Sequence, residues 1–291
     1  MPSSAHHIAT SNAPRPNIKA SFTASERRLI IIGLILTSVA VVGTLFAEQI
    51  TLWLQLNAHG HARVHAHGHP FIDARTLWDI PNALDVLSNV AFIPLGAWGL
   101  WLLHRSPTAM QPATRVAATV FFIGLVLTSF SSSFYHWAPG ALGLAIDRAG
   151  MAVAFAGVLG LAAAERVSLR AAPWVWGSVL AAGLLAVTLH YTMGAIAPWA
   201  VVQFGGMAVV LWAAAQPAHK SALGVRWGVL IAIYVVAKLL ELGDEAVFNA
   251  TGGIVSGHSL KHVAASLAAL PVIAVLRHNA RHGAAAFAQH K

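Results

Sequence analysis

ATRVAATVFFIGLVLTSFSSSFYH, residues 113–136, contains a single Lys, Arg, Asp or Glu residue, Arg115. A helix needs about 20 mostly apolar residues to cross a bilayer. Because lipid offers no hydrogen-bond partners to backbone N–H and C=O groups, such a segment is expected to be helical. The sequence therefore predicts an all-α, polytopic membrane protein. Seven further runs share this character and lie at residues 29–47, 83–103, 141–164, 172–192, 197–215, 226–248 and 258–276.

The composition agrees with a membrane location. The 291 residues are 57% hydrophobic and 10% charged, whereas soluble domains carry about 25% charged residues. We predict one transmembrane domain, residues 29–276, between a basic, disordered tail (1–28) and a C-terminal tail (277–291). The first run could instead be a signal peptide, but no small-x-small cleavage site follows it, which favours a retained helix.

The net charge is +8, and most of the basic residues lie at alternate connections between the predicted helices. This distribution indicates membrane topology rather than a nucleic-acid partner. Positive residues accumulate in cytoplasmic loops, so both termini are expected in the cytoplasm, and we expect a bacterial cytoplasmic membrane. Alternate loops hold only Arg63 and Arg75. The basic residues assigned to the cytoplasmic side are Arg15, Lys19, Arg27 and Arg28 before the first run, Arg105, Arg115, Arg166, Arg170, Lys220 and Arg226 at the intervening connections, and Arg277, Arg281 and Lys291 after the last.

Ionisable residues within membrane helices are costly and are candidates for function. With the predicted topology, all those we identify fall in the outer half of the membrane, which indicates one polar site on the extracytoplasmic side. They are His136, Asp147, His190, Lys238, Glu241, Asp244, Glu245, His258, Lys261 and His262.

Two histidines in GHSLKH, His258 and His262, are spaced i, i+4 and so share one helix face, as in zinc proteases. Ser132 and His136 have the same spacing, and Asp147 follows across a tight Pro-Gly connection. Interfacial or backbone-bonded histidines remain the alternative for the pair alone.

A set of three histidines with a fourth position left for water is typical of catalytic zinc. The chain has no cysteine, which excludes disulfides and thiolate ligands and favours zinc over iron–sulfur or copper(I) chemistry. The remaining carboxylate and hydroxyl could serve as a proton acceptor and an oxyanion donor.

These residues in this order resemble the CREST superfamily of seven-helix membrane hydrolases, which includes alkaline ceramidases and adiponectin-type receptors. DVLSNVAFI, starting at Asp85, is similar to the first core helix of alkaline ceramidases. The resemblance covers residues 78–276 and implies a seven-helix core, helices 2–8, preceded by one extra N-terminal transmembrane helix.

The resemblance implies zinc-dependent hydrolysis of a lipid amide such as ceramide to a fatty acid and a sphingoid-type amine. Zinc would bind His136, His258 and His262, Asp147 would exchange protons with water and amine, and Ser132 would steady the oxyanion. The stretch TLWDIPN, residues 76–82, lacks the glutamate of the acidic cluster implicated in calcium binding in eukaryotic ceramidases, so a calcium site is not expected.

Other classes of function remain open. Five histidines within 59–69 could gather metal and would suit a metal-ion transporter, although they are as readily incidental. A retinal-type pigment would use Lys238 as its Schiff-base lysine, and a ligand-sensing receptor could share the fold. Lys238 and Glu241 are expected to pair with each other, and Asp244 or Glu245 with Lys261. The sequence leaves the oligomeric state undetermined.

Overall fold

The computed structural model describes residues 21–57, 71–105 and 110–288, and the regular elements in these ranges are helical. A 3₁₀ turn (Asn89–Ala91) and a π-helical turn (Val201–Gly205) each connect two of the helices. The α-helices are α1 (Ala24–Leu45), α2 (Ala47–Asn57), α3 (Ala83–Ser88), α4 (Phe92–Arg105), α5 (Pro112–Trp137), α6 (Ala141–Arg166), α7 (Ala171–Met193), α8 (Ala197–Ala200), α9 (Gly206–Ala214), α10 (Trp227–Leu242), α11 (Asp244–Ala250), α12 (Gly257–Leu267) and α13 (Leu270–Ala288).

Seven helical segments of the described ranges are long and apolar enough to cross a membrane, which supports a polytopic all-α membrane protein. α13 continues to Ala288, into the stretch assigned above to the C-terminal tail. The seven segments are Ala24–Leu45, Ala83–Arg105, Pro112–Trp137, Ala141–Arg166, Ala171–Met193, Ala197–Ala214 and Gly257–Ala280.

The predicted run 226–248 differs from these segments because it divides into α10 and α11. α10 has 16 residues, which corresponds to about 24 Å of helix and is short for a bilayer. Gly243 separates the two helices, and glycine is among the poorest helix formers. A hydropathy pattern alone does not reveal this break.

The hairpin of α5 and α6 is the scaffold of the bundle, and small residues allow its two helices to pack closely. A Cβ atom on Gly124 would overlap the backbone of Ala154, and one on Gly157 would overlap the backbone of Phe121. Small residues at such positions are typical of membrane helix pairs, whose packing depends on van der Waals contact. The close packing fixes the depth of the polar residues at the end of α5 against those at the start of α6.

The main core lies between α4, α5, α6, α9, α10 and α13. Phe122 on α5, Leu161 on α6 and Leu276 on α13 are fully buried within it. The polar cluster described next lies at the end of the bundle where α5 ends and where α6 and α12 begin.

Candidate metal centre

Three histidines from two distant parts of the chain form a buried triangle. The ring centroids of His136, His258 and His262 are 4.9–5.0 Å apart, and one ligand nitrogen from each lies within 4.8 Å of the others. The three side chains are 1–6% exposed. The triad therefore forms a group that could hold a metal ion.

α5 and α12 place the three imidazoles at the same level along the helix bundle. His136 lies in the last turn of α5, while His258 and His262 lie on successive turns at the start of α12. Ser256 caps α12 by accepting a hydrogen bond from the backbone N–H of Ser259 at 3.0 Å. Because the cap fixes where the helix begins, it also fixes which face carries the two histidines.

The nitrogen geometry is compatible with zinc. Nε2 of His136 lies 3.3 Å from Nε2 of His258, and two nitrogens bound to one tetrahedral zinc at 2.0–2.1 Å would be about 3.3 Å apart. Nδ1 of His136 is buried and has no hydrogen-bond partner among the described residues. Three buried imidazoles without a carboxylate between them form a neutral, nitrogen-rich donor set that suits a borderline divalent ion.

Polar groups at the two ends of α3 hydrogen-bond to two of the three histidines. The hydroxyl of Ser88 lies 2.9 Å from Nδ1 of His262, which leaves Nε2 of that ring for the interior of the triad. The side-chain amide of Asn82 donates to the backbone carbonyl of His136 at 2.8 Å. A partner on the second ring nitrogen fixes the tautomer and direction of a metal-binding imidazole, which Ser88 supplies for His262, whereas Asn82 holds the backbone of His136. The sequence analysis assigned no role to either residue, although Ser88 lies in the DVLSN stretch.

Asp85 links α3 to the start of α12. One carboxylate oxygen, Oδ1, accepts hydrogen bonds from Ser259 at 2.6 Å and from Ser256 at 3.3 Å. The side chain is fully buried, and its Oδ2 has no partner among the described residues. Asp85 thus holds the helix that carries two histidines against the helix that carries Ser88.

Ser132 and Asp147 lie on the α5–α6 hairpin, whose first helix carries His136. Ser132 is one helical turn before His136 on α5, and its hydroxyl hydrogen-bonds the Asp147 carboxylate. Asp147 is half-buried as a residue, yet its Oδ1 is fully buried and has no hydrogen-bond partner among the described residues. The hairpin therefore places a carboxylate with an unpartnered oxygen on α6, opposite the helix that carries His136.

Arg148, which the sequence analysis overlooked, lies next to Asp147. Its guanidinium carbon is 5.5 Å from the centre of the Trp199 ring, and its charge acts on both Asp147 and His190. His190 is half-buried and does not join the histidine cluster. A buried arginine beside the carboxylate offsets part of the negative charge at the site.

The segment that precedes α3 covers the triad with an aromatic ring. The centroid of Phe71 lies 4.9 Å from that of His136 and 6.1 Å from that of His258. Arg75 anchors this segment through Asp73, at 2.6 Å, and through the carbonyl of Ile254, at 2.8 Å. The Asp73 carboxylate raises the pKa of Arg75, so this anchor stays charged at physiological pH.

The ion pairs between α10 and α12 agree only in part with those expected. Glu241 pairs with Lys238 and also with Lys261, the latter at 2.7 Å. The expected pair between Lys238 and Glu241 is therefore present, whereas Lys261 is bound by Glu241 rather than by Asp244. Glu245 is exposed. The network ties α10 to the face of α12 between the two histidines.

Asp244 instead caps α12 from outside that helix. Its Oδ1 accepts the backbone N–H of His258 at 2.7 Å, a group that has no partner within the helix. The break at Gly243 makes this contact possible, because Gly257 packs directly against the backbone of Leu240 and Asp244.

Three polar residues in and just after the TLWDIPN stretch have different environments. Asp79 is exposed, while Asn82 and Asp85 make the structural hydrogen bonds described above. The histidines of 59–69 lie outside the described residues.

A buried carboxylate at the opposite end of the bundle also escaped the sequence analysis. Glu165 is 1% exposed and accepts hydrogen bonds from the backbone N–H groups of Leu223, Gly224 and Val225 and from the indole of Trp227. It therefore fixes the loop before α10. Ionisable residues of the bundle are thus not confined to one side of the membrane.

Comparisons with models of known protein families, with curated proteins and with solved structures find no match for this chain.

Proposed function

We propose that this chain is an integral-membrane, zinc-dependent hydrolase that cleaves the amide bond of a lipid such as ceramide. The observation that most supports it is the buried triangle of His136, His258 and His262. Ser132 lies one helical turn before His136 on α5, and Asp147 lies on α6, the other helix of the hairpin, within reach of Ser132. The resemblance to alkaline ceramidases points to the same residues.

Zinc held by the three imidazoles would act as a Lewis acid and lower the pKa of a bound water to about 7. Oδ1 of Asp147, which has no hydrogen-bond partner among the described residues, would accept the proton as the water oxygen bonds to the amide carbonyl carbon. Asp147 would then return this proton to the nitrogen as the carbon–nitrogen bond breaks. The products are a fatty acid and an amine.

Ser132 has two parts in this scheme. In the resting site its hydroxyl donates to Asp147, which orients the carboxylate. When charge develops on the carbonyl oxygen, rotation about one side-chain bond lets the same hydroxyl donate to that oxygen. Arg148, beside Asp147, would offset part of the negative charge of that carboxylate.

A lipid substrate is favoured by the location of the site. His136, Asp147 and His258 all belong to helical segments suited to span a membrane, so a substrate reaches them most directly from the bilayer. With the positive-inside topology the site faces the extracytoplasmic side, and both termini are cytoplasmic.

Hydrolysis of ceramides and other N-acyl lipids by detergent-purified protein tests the proposal, with fatty acid and amine measured by mass spectrometry. We expect equal amounts of both products with the zinc-loaded protein and none after chelation. Zinc uptake by proteoliposomes without amide cleavage would favour the alternative, a membrane metal-ion transporter. Zinc and lipid binding with neither activity would favour a ligand-sensing receptor.

A further inference from the structure

α1 contacts the rest of the bundle at three levels. Near its end Gly43 packs against Ala197, and near its middle Leu36 packs against Gly205. At its start, Glu26 binds Arg170. Between the second and third levels Leu29 and Ile32 pack against the core, but α1 and α7 are separated from each other.

This separation leaves a cavity of about 620 Å³ between α1, α6, α7 and α9. Its walls are mainly apolar and include Leu29 and Gly33 of α1, Val175 and Val179 of α7 and Leu159 of α6. Trp174, at its edge, is 75% exposed. The cavity is therefore open to the side of the bundle, where the membrane lies.

One end of the cavity is polar. Glu26 accepts hydrogen bonds from Ser168 at 2.7 Å and from Arg170 at 2.6 Å. The Arg170 side chain remains 43% exposed despite this pair, and the neighbouring Arg27 and Arg28 are exposed. Arg27 and Arg28 do not line the cavity, but the partly exposed Arg170 guanidinium, which does, offers charged hydrogen-bond donors that suit a phosphate group.

The cavity is separate from the histidine site. Leu159 follows Asp147 by twelve residues on α6, a displacement of about 18 Å along the helix axis. Ser168, at the polar end, lies beyond the end of α6 that is remote from Asp147. The cavity therefore lies in the other half of the bundle, toward the opposite membrane surface.

We propose that this cavity binds one acyl chain of a phospholipid, with the phosphate next to Arg170. An apolar space that opens into hydrocarbon loses dispersion contacts when empty and offers water no polar partners along its walls. A chain from the adjacent leaflet fills it, and the cationic end receives the headgroup. The bound lipid connects α1 to α7, which otherwise lie apart at this depth.

Gly33 permits a direct test, since a Cβ atom there would meet nothing within 4 Å and would point into the cavity that Gly33 lines. A Gly33→Phe substitution puts an aromatic ring in the path of the chain. Gly177→Phe is the matched control: a Cβ on Gly177 also meets nothing within 4 Å, but Gly177 does not line the cavity.

Native mass spectrometry of the detergent-purified proteins, with added phosphatidylglycerol as the probe, measures the bound lipid. We expect one phospholipid on the wild type and on Gly177→Phe, and its loss in Gly33→Phe. Zinc content, determined on the same samples, shows that the remote half of each variant is folded.

Equal phospholipid retention by Gly33→Phe, or none by the wild type, would overturn the proposal, and a bound free fatty acid would overturn the assignment to a phospholipid. None of these results depends on hydrolase activity.

Discussion

The hydroxyl of Ser88 lies 2.9 Å from Nδ1 of His262, although 174 residues separate the two along the chain. The contact assigns the two nitrogens of the ring different roles, because Nδ1 is engaged by the hydroxyl and Nε2 is left for a ligand. A serine on α3 thus orients the ring of a histidine on α12 for ligand binding.

Replacing this serine should weaken metal binding without abolishing it. We expect Ser88→Ala to lower zinc affinity about 10–100-fold, the usual effect of losing an outer partner of a metal-binding histidine. Competition with a chromophoric chelator measures the affinity. Ser133→Ala is the control, since the Ser133 hydroxyl donates to the carbonyl of Val86. Equal affinities for the two variants would contradict the role of Ser88.

Removing one imidazole should abolish stoichiometric metal binding. We expect wild-type protein to carry one zinc per chain and His258→Ala to carry almost none, because two nitrogens do not complete a structural or catalytic zinc site. Elemental analysis of the purified proteins measures the ratio. His190→Ala, which removes a half-buried histidine outside the triad, should keep its zinc. Full metal content in His258→Ala would show that the triad is only a packing cluster.

Asp147→Asn should separate chemistry from metal binding. The amide cannot accept the proton, so we expect lipid-amide hydrolysis to fall about 10²–10⁴-fold while zinc content stays unchanged. Turnover of a ceramide under zinc-saturated conditions is the measurement. Ser131→Ala is a nearby control, because the Ser131 hydroxyl contacts only backbone carbonyls, including that of Asp147. Undiminished turnover by Asp147→Asn would refute the proposed proton transfer.

The helix cap that Asp244 provides should contribute measurably to the stability of the folded protein. Asp244→Ala removes the acceptor of the His258 N–H, and loss of a helix cap costs about 0.5–2 kcal/mol. Thermal unfolding in detergent should show a lower midpoint for this variant. Glu245→Ala, at the exposed neighbouring position, should unfold like the wild type. The same midpoint for both variants would argue against the cap.

Several features of the fold could be predicted because they are local properties of the sequence. Length and hydropathy identify membrane helices, and seven of the eight runs correspond to helical segments that can span a bilayer. The i, i+4 spacing of His258 and His262 places them on one helix face wherever the helix lies. The Pro-Gly connection after α5 predicted the hairpin that brings Asp147 beside Ser132.

Other features depend on packing between segments that are distant in sequence. Hydropathy treats residues 226–248 as one run, whereas the close approach of Gly257 to α10 accompanies the break at Gly243. Lys261 can reach several carboxylates by sequence, and the packing of α10 against α12 selects Glu241. Glu165 falls just outside a predicted run. Only the structure, in which its carboxylate accepts four hydrogen bonds, identifies it as a buried group.

The sequence by itself determined an all-helical membrane protein with histidines at metal-binding spacing, because hydropathy and helical periodicity are encoded residue by residue. The tertiary structure decided that His136 meets His258 and His262, that Ser88 bonds to the His262 ring and Asp244 to the His258 backbone, and that α1 leaves a cavity beside α7. These contacts depend on how closely particular helices approach, which small residues and long-range hydrogen bonds set and which no single segment contains.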